Sequence, residues 1–200
     1  MSLEDYRSVF MVGSLVVILV AALPGISVVF PFPRVEERFS ELWLLGRERR
    51  AVDYPLNIRE NEMQGPIYVG VCNHMRDSQY YMVYVKLRNQ TQPLPYSSSS
   101  EPSPLSPLCE FRFFLADRET WETSVSFNVE DVDFKENSSI VRKISINGHS
   151  LPIALSSRWD SENEGFYYQL FYELWLYDAT IGVFGFHDRF VWIWLNMTSA

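Results

Sequence analysis

Along residues 166–177 two sets of side chains alternate with a period of two. Phe166, Tyr168, Leu170, Tyr172, Leu174 and Leu176 fall on one side, and Gln169, Phe171, Glu173, Trp175 and Tyr177 on the other. Successive side chains of an extended strand point to opposite faces, so this period demands a sheet. Residues 80–88 repeat it, with Tyr81, Val83, Val85 and Leu87 set against Met82, Tyr84, Lys86 and Arg88. Shorter apolar runs at 67–71, 110–115, 124–129, 141–146, 151–155 and 190–195 read as further strands. Asn147-Gly148 joins two of them, and both central residues of a type I′ hairpin need positive φ. The short polar link 73–79 predicts another antiparallel hairpin, and residues 178–182 break the last pair of runs. Residues 36–45 are ambiguous between strand and short helix. Eight or nine strands at even spacing predict a mainly β fold, an immunoglobulin-like antiparallel β-sandwich.

Ahead of the strands, Val9 to Phe32 carry no charged residue. As a helix this stretch would reach ~36 Å, enough for a ~30 Å hydrocarbon core. It predicts one N-terminal transmembrane helix, with residues 1–33 as membrane anchor and 34–200 as the folded domain. Pro24-Gly25 would break the helix near the outer interface, where Phe30 and Phe32 would sit. The alternatives are a cleaved signal peptide, for which Ala21 and Ala22 supply small residues, and a buried core helix. Residues 1–7 do not form the positive region that a signal peptide carries. The positive charges flanking the run give no orientation. The sequons at Asn89, Asn137 and Asn196 match the glycosylation pattern and place the domain outside. The expectation is a single-pass plasma-membrane protein with its C-terminal domain outside the cell.

The chain has a net charge of −8 and no basic stripe, which excludes nucleic-acid binding through phosphates. Its two cysteines, Cys72 and Cys109, are too few for a disulfide scaffold. They are either one bridge or two separate thiols. Residues 91–107 hold Pro93, Pro95, Pro102, Pro104, Pro107 and the run Ser97 to Ser100. Proline cannot donate to a ladder, so this segment is expected to be a solvent-facing loop that neither pairs nor packs.

A family resemblance follows from short motifs in order: FSELWLLG at 39–46, DYPLN at 53–57, VGVCNH at 69–74 and YMVYV at 81–85. Together they resemble an archaeal family of membrane proteins catalogued as domain of unknown function 1616. Members carry several further transmembrane helices ahead of this region, so the chain reads as anchor and ectodomain alone. The resemblance implies an archaeal cell-surface location and no particular activity.

Chemistry-bearing groupings are sparse. Cys72 and His74 lie two apart on one strand and share a face, but a zinc site needs three or four ligands and the sequence offers no second close pair. His149 and His187 stand alone. Asp160, Glu162 and Glu164 followed by Gly165 imitate the start of a calcium loop, yet Phe171 occupies the twelfth position where a bidentate Glu belongs. A solvated acidic turn is the plainer reading. No nucleophile motif, phosphate loop or dinucleotide fingerprint occurs. No catalytic residue, metal or cofactor is therefore expected. Aromatic content stands out instead. Phe171, Trp175, Tyr177, Trp192 and Trp194 exceed what a solvated strand face needs, and they form the candidate interface, the alternative being that a loop such as the Pro/Ser segment 91–107 covers them. The chain is read as a non-enzymatic surface module that contacts the membrane through residues 9–32. Its aromatic strand face would bind a protein partner or another copy. Alternatively, it would bind envelope glycans or serve as an accessory subunit of a membrane complex.

Overall fold

The computed structural model of the chain describes residues 6–7, 9–18, 20 and 37–198. The chain divides into two compact units, Met1–Glu37 and Arg38–Ala200. The second is built of ten strands. β1 (Phe39–Leu45), β2 (Asn57–Ile58), β3 (Gln64–His74), β4 (Gln79–Asn89) and β5 (Cys109–Leu115) come first. They are followed by β6 (Thr120–Lys135), β7 (Ser138–Ile146), β8 (His149–Asp160), β9 (Gly165–Asp178) and β10 (Val183–Met197). The main ladder runs β1-β3-β6-β7-β8-β9-β10-β2, and β4 joins the other edge of β9, carrying β5 with it.

The sheet turns back on itself at β8. This strand pairs with β7 along most of its length but with β9 only at Trp159 and Asp160. One wall is therefore β1-β3-β6-β7-β8 and the other β5-β4-β9-β10-β2, curled as a half-barrel. Val69, Val71, Val125, Phe127, Ile144 and Ile146 of the first wall enter one core with Tyr81, Val83, Val85, Leu170, Tyr172, Leu174, Ile193 and Leu195 of the second. None of these side chains is more than 5% exposed. The inward sets read from the period-two pattern of β4 and β9 are the sets that make this core.

Opposite the β8 seam, β1 comes close to β10. His187 Nε2 lies 3.0 Å from Ser40 Oγ, Ser40 Oγ lies 2.7 Å from the Tyr81 hydroxyl, and that hydroxyl donates to Asn73 Oδ1 at 3.0 Å. A register shift between Phe186 and Arg189 on β10 accompanies the contact.

The mainly β expectation holds, but the rest of the expected architecture is corrected. An immunoglobulin-like sandwich has two separate sheets. Here one continuous hydrogen-bonded sheet of ten strands runs through β8, whose 12 residues are long enough to serve both walls. Among the described residues no helix is long and apolar enough to cross a membrane, which overturns the transmembrane helix. The helical positions lie within 6–20, a rise of at most ~22 Å against ~30 Å of hydrocarbon. The remainder of the expected span lies outside the described residues, namely residue 19 and residues 21–32 with Pro24-Gly25, Phe30 and Phe32. The expected boundary at 33/34 also falls there.

The link 73–79 does not close a hairpin. β3 pairs with β1 and β6, whereas β4 pairs with β5 and β9, so the link carries the chain from one wall to the other. The Asn73 side chain makes that crossing. Its amide nitrogen donates to the carbonyls of Asp77, Leu115 and Ala116, and its Oδ1 accepts from the Met75 amide. Within the ambiguous stretch 36–45, Phe39–Leu45 forms β1, whose Ser40 and Leu44 point inward, and residue 36 lies outside the described residues.

Candidate functional site

The outward face of β4 and β9 carries the residues singled out by their aromatic content. Its middle is covered. The segment 91–107, expected as a solvent-facing loop with cover of this face as the alternative, lies within a strap of residues 90–108 across it, with Pro95 and Ser103 buried. The clasp is a buried ion pair between Lys86 Nζ and Glu173 Oε2 at 2.8 Å, with the two side chains 3% and 0% exposed. Lys86 also donates to the Ser103 carbonyl at 2.7 Å, and the Ser103 amide donates to Glu173 Oε1 at 2.9 Å. Trp175 Nε1 donates to Glu173 Oε2 at 3.1 Å. Both carboxylate oxygens and the ammonium thus have partners, as charges removed from water require. Further along, Arg88 donates to the Gln92 carbonyl and to Gln169 Oε1, and Ser100 Oγ donates to Asp188 Oδ2 at 3.0 Å.

This cover changes the membership of the aromatic face. Phe171 is 0% exposed and leaves the interface set. Trp175 and Tyr177 are half-buried in an aromatic cluster past the end of the strap. There Tyr80 stacks on Phe114 with centroids 4.1 Å apart, Tyr177 meets Phe184 at 5.2 Å, and Trp175 bridges Tyr84 at 5.3 Å and Phe186 at 6.1 Å. On the strands of the second wall the exposed aromatics are Phe114 at 71%, Trp192 at 46% and Trp194 at 36%. Phe114 was missed in the sequence because a single outward Phe on a short strand has no pattern to mark it. Trp192 stacks on Phe190 at 5.3 Å. Trp194 borders a groove of about 410 Å³ with Leu56, Gln90, Asp160, Asn163 and Tyr167. β10 presents this row along its length. Its edge away from β9 takes β2 only at Asn196 and Met197.

The calcium-like turn is closed by its own backbone. Asp160 Oδ1 accepts from the amides of Glu162 and Asn163, and Oδ2 from Asn163 Nδ2. These bonds, led by the Asn163 side chain, hold the Asp160 carboxyl below its usual range. Among the described residues the one group of three metal-capable side chains lies elsewhere. Glu41 on β1 stands directly across from Cys72 on β3 and joins it with His74. Sequence spacing could not supply Glu41, because the strand pairing that brings it there is long-range.

Of the sequons, Asn137 is exposed at the tip between β6 and β7. Asn89 has its amide engaged with Ser156, Thr91 and Gln92. Asn196 is corrected as a glycosylation candidate. It is 7% exposed within β10, its side chain is wedged over Gly165, and it donates to Asn57 Oδ1 at 3.3 Å. A strand residue packed in this way leaves no room for a sugar in the folded chain.

Both cysteines are free. Burial, and then the neighbouring Glu110 charge, pushes the Cys109 thiol up to about 11. It stays protonated and is a poor nucleophile. His149 keeps to the solvent side of the β7–β8 turn, whereas His187 is drawn into the β1–β10 contact.

Comparison with protein families matches residues 33–137 to a model described as Domain of unknown function (DUF1616). The match covers just over half of the chain, from ahead of β1 to the β6–β7 tip. No curated protein matches the chain.

Proposed function

The chain belongs to that family, whose description assigns no activity, and we propose that it is a non-enzymatic interaction module acting at the cell surface. The contact surface is the aromatic row of the second wall, and the occupant is another protein surface, first of all a second copy. One observation carries the reading: Trp192 and Trp194 stand exposed side by side on a strand whose outer edge is paired over two residues only. Exposed Trp is among the residues that dominate binding energy when desolvated, and an open strand edge adds backbone donors and acceptors. The exposed sequon at Asn137 supports placement outside the cell.

A second reading has its own support. The groove beside Trp194 combines an indole with Gln90, Asp160 and Asn163. An aromatic ring with polar neighbours is what a sugar requires, and it fits an envelope glycan.

Sedimentation of the full chain over a range of concentrations separates the two. Self-association that Trp192→Ser with Trp194→Ser abolishes supports the protein contact. A chain that stays monomeric but binds envelope oligosaccharides by calorimetry moves the assignment to glycans. A monomer that binds neither removes the aromatic row as a functional surface.

A further inference from the structure

We propose that Glu41, Cys72 and His74, brought to one point by the pairing of β1 with β3, form a Zn²⁺ site with three protein ligands and an open fourth position. Glu41 and Cys72 are direct cross-strand partners, and His74 lies two residues beyond Cys72 on the same outward face. A carboxylate oxygen, the thiol sulfur and an imidazole nitrogen all fall within 4.8 Å of one another. His74 Nε2 is 3.4 Å from Glu41 Oε1. Tetrahedral N and O ligands at about 2.0 Å from zinc stand roughly 3.3 Å apart, so that edge already has the right length. The sulfur lies within 4.8 Å of both and has at most about 1.3 Å to close to a tetrahedral edge of roughly 3.5 Å, within the reach of side-chain rotation.

An acid–imidazole contact alone would account for Glu41 and His74. It would not account for a thiol aimed at the same point. The mixed O, N and S donor set, with its thiolate, favours a borderline ion over Mg²⁺ or Ca²⁺. The site is mounted rigidly. The His74 ring stacks on Phe39 at 4.6 Å between centroids, and Cys72 is 8% exposed in β3 while Glu41 faces solvent. The ion therefore enters from the Glu41 side. On binding, the thiol gives up its proton, the thiolate sulfur bonds the metal, and water fills the remaining position.

The test is a titration of the full chain, thiols kept reduced, with Co²⁺ as spectroscopic probe and Zn²⁺ as competitor. One ion per chain should bind, with a thiolate-to-cobalt charge-transfer band and the strong visible bands of four-coordination, and Zn²⁺ should erase both. Cys72→Ser should abolish the charge-transfer band. Glu41→Gln and His74→Gln should each weaken binding by at least roughly tenfold, the scale at which even outer-shell partners act. Zn²⁺ should also raise the melting temperature of the wild type and not of these variants. Because Glu41 and His74 are partly or well exposed, their variants report even if Cys72→Ser folds poorly. No saturable binding, or binding without the thiolate band and unchanged in Glu41→Gln and His74→Gln, overturns the site.

Discussion

Tyr168 and Tyr172 lie one helical-looking step of four apart in sequence, yet both sit on the inner face of β9 and both are almost fully buried. Their hydroxyls meet different surroundings. That of Tyr168 pairs with Ser139 Oγ at 2.7 Å and donates to the Ser139 carbonyl at 3.1 Å. That of Tyr172 has no hydrogen-bond partner among the described residues, and burial drives its ionisation far above the ordinary tyrosine range. An unpaired buried hydroxyl costs about 1–3 kcal/mol of desolvation, whereas a satisfied one contributes about 1 kcal/mol. Tyr172→Phe should therefore leave stability unchanged or raise it by up to about 2 kcal/mol, while Tyr168→Phe should lower it by about 1 kcal/mol. Urea unfolding of the two variants decides it, and an equal loss in both would sink the distinction. The period of two assigned both rings inward from the sequence. It could not show their hydroxyl partners, because Ser139 reaches Tyr168 only once β7, β8 and β9 have folded together.

Strands and turns were the most legible level, and the Asn147-Gly148 turn shows why. Asn147 has φ of 48° and Gly148 of 81°, the two positive values that a type I′ hairpin needs. A Cβ on Gly148 meets nothing within 4 Å, so only backbone strain opposes a side chain there. Gly148→Ala should cost about 1–2 kcal/mol, the left-handed penalty for an L-residue. Gly185→Ala, in equally open space on β10 and without positive φ, should be neutral or slightly stabilising. Equal effects of the two in thermal melts would rule out the conformational explanation.

The strap over β4 and β9 was illegible for the opposite reason. Its prolines barred it from the ladder, and the surplus of aromatics on β9 raised it as a candidate cover, but neither signal chose between cover and open loop. What holds it down is Glu173, a charge on an aromatic strand, and Lys86, one position in an outward set that looked solvated. Lys86→Met leaves the Glu173 carboxylate buried without its cation and should cost about 3–5 kcal/mol, whereas Lys86→Met with Glu173→Leu should recover most of that loss. The single variant removes the Lys86 bond to the Ser103 carbonyl and the double variant also the bond from the Ser103 amide to Glu173, so limited proteolysis should open within residues 91–107 in each and further in the double variant. Unchanged stability in the single variant would show that the pair does not hold the strap. β2, two residues long, had no pattern to read, and β3 and β4 were assigned to one hairpin because a short polar link looks the same whether it closes a hairpin or changes walls.

At the scale of the whole molecule, two walls joined along β8 must be closed on the opposite side, and that closure is polar. Asn73 donates its amide hydrogens to backbone carbonyls, so its Oδ1 can only accept from Tyr81. The Tyr81 oxygen is then free to accept from Ser40, and Ser40 in turn to accept from His187. The imidazole begins the relay as a neutral Nε2–H donor, and β10, β1, β4 and β3 are tied in a single chain of hydrogen bonds. Burial, and next the Arg189 charge, lower the His187 pKa from its ordinary value, while Asp188 acts weakly in the other direction. The unfolded chain then binds a proton more readily than the folded one. Stability from this group is complete above about pH 6.5 and is lost as the pH falls from there through the lowered folded value. His187→Gln keeps an amide donor toward Ser40 but does not titrate. Its denaturation midpoint should fall less than that of the wild type between about pH 7 and 5. Carboxylates held below their usual range, such as Glu130 and Asp178, are common to both proteins and cancel in the comparison. Parallel profiles would mean that the β1–β10 closure is insensitive to the imidazole charge. Convergence of the two profiles at low pH and separation near neutrality would identify this relay as the point at which acid begins to open the half-barrel.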